Sequence, residues 1–156
     1  MILLKNTQKK IKIDPKYVKK QVQKILELLN YPNFDVNIWF TTNITIKNFN
    51  KKFRGKNKPT DILSFPFYPN LKQGEKIKAQ TPEDQNLGDI IISLEYCLKD
   101  SKKLNLDFKI YLIRIITHGL VHLLGYDHIT DQDYKVMHKL EQNILKKLFK
   151  DINFNY

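Results

Sequence analysis

Three of the four histidines in this chain fall between positions 118 and 128, in the run His118-Gly-Leu-Val-His122-Leu-Leu-Gly125-Tyr-Asp-His128. On a helix, side chains four residues apart stand one above the other, with Cβ atoms roughly 5–6 Å apart, so His118 and His122 can offer two nitrogens to one point. Glycine commonly ends a helix by adopting a left-handed conformation. A turn at Gly125 brings His128 back toward the same point. Three protein nitrogens with a fourth position left open is the donor set of a catalytic zinc site, whereas a structural site is closed by a fourth side chain. Histidines packed at a helix end are the plain alternative, and for any one of them alone it would be the better account.

The spacing H-x3-H-x2-G-x2-H is shared with a group of zinc proteases, in which a Glu after the first His acts as general base. Here that position is Gly119, which has no side chain. The cage is that of a metal-dependent hydrolase, but the proteolytic base is missing.

A second region carries charge suited to a polyanion. Lys47, Lys51, Lys52, Arg54, Lys56 and Lys58 lie between positions 47 and 58 without one acid, interleaved with Phe49 and Phe53. The whole chain has a formal net charge of +11 and a pI near 9.6, which points toward RNA. Lysines and aromatics together suit single-stranded RNA, with phosphates on the charges and bases on the rings. A solvated helix face with two core phenylalanines is the alternative, and the better one for the aromatics. Only Arg54 and Arg114 are arginines among 27 basic residues, which marks them as places where a planar bidentate fork serves better than a point charge. Arg114 stands one helical turn before His118, either approaching the site or pairing with a surface acid.

The metal run looks like the signature of the YbeY family, bacterial endoribonucleases and ribosomal RNA maturation factors. The block Arg54-Gly-Lys56-Asn-Lys58-Pro59-Thr60-Asp61-Ile62-Leu63-Ser64-Phe65-Pro66-Phe67 resembles the family's RGKxKPTDVLSFP, and Leu87-Gly88-Asp89 matches its LGD. The resemblance runs from about Phe34 to the C-terminus. Val121 replaces the usual Leu and Ile62 the usual Val, neither at a ligand position. The resemblance implies a zincin-like architecture and a zinc-dependent, single-strand-specific endoribonuclease. Its implied work is 16S rRNA 3′-end maturation and ribosome quality control, with the ribosome or a subunit as partner. Two alternatives stand beside it: a metallopeptidase with the same three-His cage, and a non-catalytic ribosome-assembly factor with structural zinc.

The elements that must position these residues follow from local pattern. Asp14-Pro15 starts a helix that Val18, Val22, Ile25 and Leu29 continue until Asn30-Tyr-Pro32. Val36, Ile38 and Phe40 alternate as a strand. Asn43 is expected to cap a short helix through Phe53, and 61–67 and 88–94 to form strands around a long loop at 69–86. That loop is either mobile near the site or a plain surface insertion. Helices are expected over 95–104, 108–124 and 131–149, the last capped by Thr130 with Asp133. Helix 108–124 is apolar nearly all round, as a buried helix is. His138, in the last helix, stands outside the motif.

The expected fold class is α+β, a small mixed β-sheet packed against helices. Residues 1–156 are read as a single metal-dependent endoribonuclease domain, large enough to bury its own core. No stretch approaches the roughly 20 apolar residues that span a bilayer. The opening Met-Ile-Leu-Leu-Lys5 is too short for a secretory signal, and the lone Cys97 excludes an internal disulfide. A cytoplasmic protein with no membrane partner is expected. One Zn2+ per chain, held by His118, His122 and His128, would lower the pKa of water or polarise a phosphoryl oxygen. Arg54 is the expected catalytic residue, gripping the scissile phosphate. Lys51, Lys52, Lys56 and Lys58 would hold flanking phosphates without reading sequence. Asp127, and less directly Asp89, would orient a ligand imidazole.

Overall fold

The computed structural model describes residues 1–150; positions 151–156 of the expected domain lie outside the described residues. Four strands, β1 (Ile2–Asn6), β2 (Asp35–Thr41), β3 (Ile62–Pro66) and β4 (Asn86–Ser93), form one sheet in the order β1-β2-β4-β3. β1, β2 and β4 run parallel, and β3 is antiparallel to β4. Five helices accompany them: α1 (Pro15–Leu28), α2 (Asn43–Arg54), α3 (Leu94–Lys103), α4 (Phe108–Leu123) and α5 (Asp131–Leu148). The α+β class with a mixed sheet is as expected.

The helix starts come from short polar side chains that accept orphan backbone N–H groups. Asp14 accepts from Lys16 and Tyr17, and Asp107 accepts from Lys109 and Ile110. α2 corrects the expectation: Thr42 is its cap, accepting from the Thr45 N–H. Asn43 is already helical, and its Oδ1 accepts from Ser93 Oγ at 2.7 Å. Ser93 in turn caps α3 by accepting from Tyr96 N–H, so β4 ends one residue earlier than expected.

Period-2 alternation divides the sheet's side chains between two faces. Ile38, Ile90, Ile92 and Ile62 join the main core, which α1, α3, α4 and α5 complete. Leu63 and Ile91 point the other way, into a small cluster with Ile46 of α2. α4 is the innermost helix, with Ile113, Ile116, Leu120 and Val121 wholly buried. Its first turn is anchored by Tyr111, whose hydroxyl donates to Asp100 Oδ2 at 2.6 Å.

β1 was not expected. Ile2-Leu3-Leu4 is too short to announce a strand, and it exists because β2, more than thirty residues away, supplies its ladder. The 69–86 loop is also more than an insertion. Leu71 packs against the main core, and a 3₁₀ turn at Pro82–Asp84 leads into β4. Among the described residues, no helix is long and apolar enough to cross a membrane.

Candidate metal centre

α4 delivers His118 and His122 on one face, and its C-terminal turn delivers His128. The turn is a Schellman motif: Gly125 N–H bonds to His122 O at 3.0 Å and Tyr126 N–H to Val121 O at 3.4 Å. Gly125 has φ +88, and a Cβ there would lie 2.2 Å from Leu71 O. Only glycine satisfies both the left-handed backbone and the close approach of the 69–86 loop. The chain then returns, and Asp127 Oδ1 accepts the His128 backbone N–H at 2.7 Å.

The three imidazoles converge. Their ring centroids are 4.5, 5.6 and 5.2 Å apart pairwise, and one ligand nitrogen from each lies within 4.8 Å of the others. Among the described residues no fourth His, Cys, Asp or Glu joins the cluster. Two rings are fixed by their second nitrogen. His118 Nδ1 meets Glu141 Oε1 of α5 at 2.6 Å, and His122 Nδ1 donates to Tyr126 O at 2.8 Å. A carbonyl only accepts, so the His122 proton sits on Nδ1 and Nε2 keeps its lone pair. Burial holds the His122 imidazole below its usual range, and neighbouring His118 lowers it further. A neutral imidazole is the form that binds a metal ion. The donor set, tautomer and spacing fit a divalent ion with imidazole preference.

The sequence reading missed Glu141 and the Tyr126 carbonyl. Tyr126 O carried no signal, because a carbonyl has no residue type. Glu141 did carry one: it interrupts the apolar stripe of Met137, Ile144 and Leu145, where an acid with 16% side-chain exposure needs a partner. The orienting role expected of Asp127 and Asp89 falls elsewhere. The Asp127 carboxylate shapes the turn, as described. Asp89 is on the opposite face of the sheet, because Ile90 beside it packs toward α4; it accepts from Asn37 Nδ2 at 2.8 Å.

The histidines line a cleft of about 820 Å³ whose lining also includes Arg54, Asp61, Ser64 and Phe65. Arg54 ends α2 and is exposed. Its loop is pinned from below by Asn50, 1% exposed, whose Nδ2 donates to Lys58 O at 2.8 Å. Lys51 and Lys52 occupy the last turn of α2, and Lys56 and Lys58 the following loop. All four are exposed, and the cleft wall itself takes Phe53 and Arg54 from this segment. Phe49 packs into the small second cluster beside Trp39, while Phe53 is 55% exposed. Arg114 lies with its guanidinium 5.9 Å from the Tyr111 ring centroid, and His138 stacks on Tyr134 at 5.3 Å.

Gly119 explains the absent proteolytic base. A Cβ there would stand 2.6 Å from Ile62 Cδ1, 3.1 Å from Ile90 Cδ1 and 3.2 Å from Ser64 Oγ. α4 lies so close on β3 and β4 that any side chain here would have to displace Ile62, Ile90 and Ser64.

Fold and site together define an α+β protein whose open cleft presents three histidines able to hold a metal ion. The family model for endoribonuclease YbeY matches residues 3–149. The chain therefore belongs to the YbeY endoribonuclease family. It is 40% identical to endoribonuclease YbeY of Persephonella marina over 139 residues, covering 87% of this chain and 84% of that one. It is 35% identical to the human endoribonuclease YbeY over 147 residues, covering 94% and 87%. To that of Clostridioides difficile it is 34% identical, covering 94% and 95%. The solution structure of TM1509 from Thermotoga maritima shares the fold, with a TM-score of 0.63, 22% identity and coverage of 100% and 99%.

Proposed function

We propose that residues 1–156 form one endoribonuclease domain that uses zinc, held by His118, His122 and His128, to cleave single-stranded RNA. The observation that carries the reading is three imidazole nitrogens within 4.8 Å of one another in a cleft that Arg54 also lines. Zinc, when bound, supplies Lewis-acid chemistry that polarises a phosphoryl oxygen and acidifies water.

The protein's own groups do the rest. Glu141 holds His118, and the Tyr126 carbonyl holds His122, in the orientation and tautomer that leave Nε2 free. Arg54 grips the non-bridging oxygens of the scissile phosphate and stabilises charge that develops there. Lys51, Lys52, Lys56 and Lys58, exposed beside it, hold neighbouring phosphates without regard to base. The packing at Gly119 speaks against a peptidase that draws its base from that position. The substrate we assign is ribosomal RNA, at the 3′ end of 16S rRNA, in the cytoplasm and on the ribosome or its subunit.

The test is cleavage of single-stranded RNA beside casein by zinc-loaded protein. RNA cleavage without casein hydrolysis is expected. His122→Ala should abolish cleavage and lower zinc content. Arg54→Ala should reduce cleavage by about 100-fold or more with zinc content unchanged. A cleaving His122→Ala would mean the metal is structural, and loss of zinc in Arg54→Ala would contradict its phosphate role.

A further inference from the structure

The face of the sheet turned away from α4 is only half covered. α2 lies over Leu63 and Ile91 through Ile46 and Phe49. Beyond it, Leu3, Trp39, Phe49, Phe53, Phe65 and Ile91 line an open groove of about 600 Å³. Strand register accounts for the placing. Leu3, Asn37, Asp89 and Phe65 form one row across the four strands, and Lys5, Trp39, Ile91 and Leu63 form the next. Leu3 is 53% exposed, so this apolar surface meets water.

Three observations identify its occupant. Phe53 and Phe65 line both this groove and the metal cleft, so one strand can pass from cleft to groove without leaving the protein. Ammonium groups already ride on the rings: Lys5 Nζ is 4.9 Å from the Trp39 centroid and Lys52 Nζ 5.2 Å from that of Phe53. On the floor, Asn37 and Asp89 are hydrogen-bonded side by side and present amide and carboxylate groups that can meet a base edge. An apolar protein face docked here would bury Lys5 and Asp89, whose charges would then need partners. A nucleic acid supplies a phosphate for Lys5 and a base amino group that can donate to Asp89, and the chain's net charge of +11 favours it.

We propose that this groove is a second subsite for unpaired RNA, continuous with the metal cleft around Phe53 and Phe65. Bases stack on Trp39 and Phe53, while Lys5 and Lys52 swing from the rings to the phosphates. The proposal rests on the endoribonuclease reading above.

Trp39 is the chain's single tryptophan, so its fluorescence reports this groove alone. Zinc-loaded protein is titrated with an end-labelled 2′-O-methyl RNA strand of roughly twelve nucleotides, within the span such sites accommodate. Anisotropy and Trp39 emission are read together. Quenching of Trp39 at the concentrations where anisotropy rises is expected, with Leu3→Glu, which sets a carboxylate against the strand, and Lys5→Ala, which removes a phosphate contact, each weakening binding about five-fold or more. Melting curves of both variants confirm folding. Anisotropy that rises with Trp39 silent and both variants binding normally overturns the groove and leaves the endoribonuclease reading standing. No binding and no cleavage of RNA overturns both. A Trp39 change that follows protein concentration without RNA assigns the groove to a second copy and overturns the RNA assignment.

Discussion

At the residue scale, the contact between His118 Nδ1 and Glu141 Oε1 at 2.6 Å reaches beyond the helix that carries His118 and His122. A carboxylate behind an imidazole fixes its ring and raises its basicity toward a metal, and losing such a partner typically costs about 10–100-fold in metal affinity. Glu141→Ala is expected to weaken zinc binding within that range, measured by competition with a chromophoric chelator. Glu141→Gln keeps an acceptor for the Nδ1 proton and should fall between the two. Equal affinity in Ala and wild type would remove Glu141 from the site. Glu141 was legible in principle, as an acid in an apolar stripe. Its partner was not, because nothing local links α5 to His118. Asp89 went astray for a readable reason: alternation with the buried Ile90 already placed it on the far face.

At the element scale, the approach of α4 to β3 and β4 sets what the helix can carry. Gly119→Ala places a methyl against the mobile ends of Ile62 and Ile90. The helix gains about 1 kcal/mol in propensity, against about 1–3 kcal/mol of overpacking, so the net loss should stay under about 2 kcal/mol in denaturant unfolding. Gly119→Glu adds a buried charge with no partner and should lose about 3 kcal/mol or more. It recreates the protease-like His-Glu pair, yet casein should remain uncleaved. A folded Gly119→Glu protein of wild-type stability would refute the packing argument. Helix bounds were largely readable here, since Asp14, Asp107 and Thr130 mark starts by chemistry. Thr42 and Asn43 are both good caps, and Ser93 and Glu95, some fifty residues on, decide between them by engaging the Asn43 side chain and backbone N–H.

At the scale of the whole molecule, the three-His pattern and the α+β class were legible because each has a local sequence expression. The strand order was not: β1 pairs with β2, and β4 slips between β2 and β3, choices set by burial across the entire chain. The same long-range wiring would tie a bound metal to stability. The three histidines on α4 and its turn, with His118 braced by α5, would close a loop through the core around an ion. A ligand bound only by the folded state adds about 2.7 kcal/mol at a hundredfold excess over Kd. For a domain of this size that is about 5–10 °C in melting temperature. Zinc should raise Tm by that amount and EDTA should reverse it, and His128→Ala should abolish the shift. An unmoved Tm would mean the trio does not hold the ion.

His118 and His122 stand on the innermost helix, whereas His128 is exposed on a turn leaning against Leu71. With zinc held as proposed, its departure would begin at His128, one arm letting go while two hold. The pace of exchange would then follow how often residues 125–128 peel away from Leu71, well short of global unfolding. Loading and stripping would keep the clock of a surface turn.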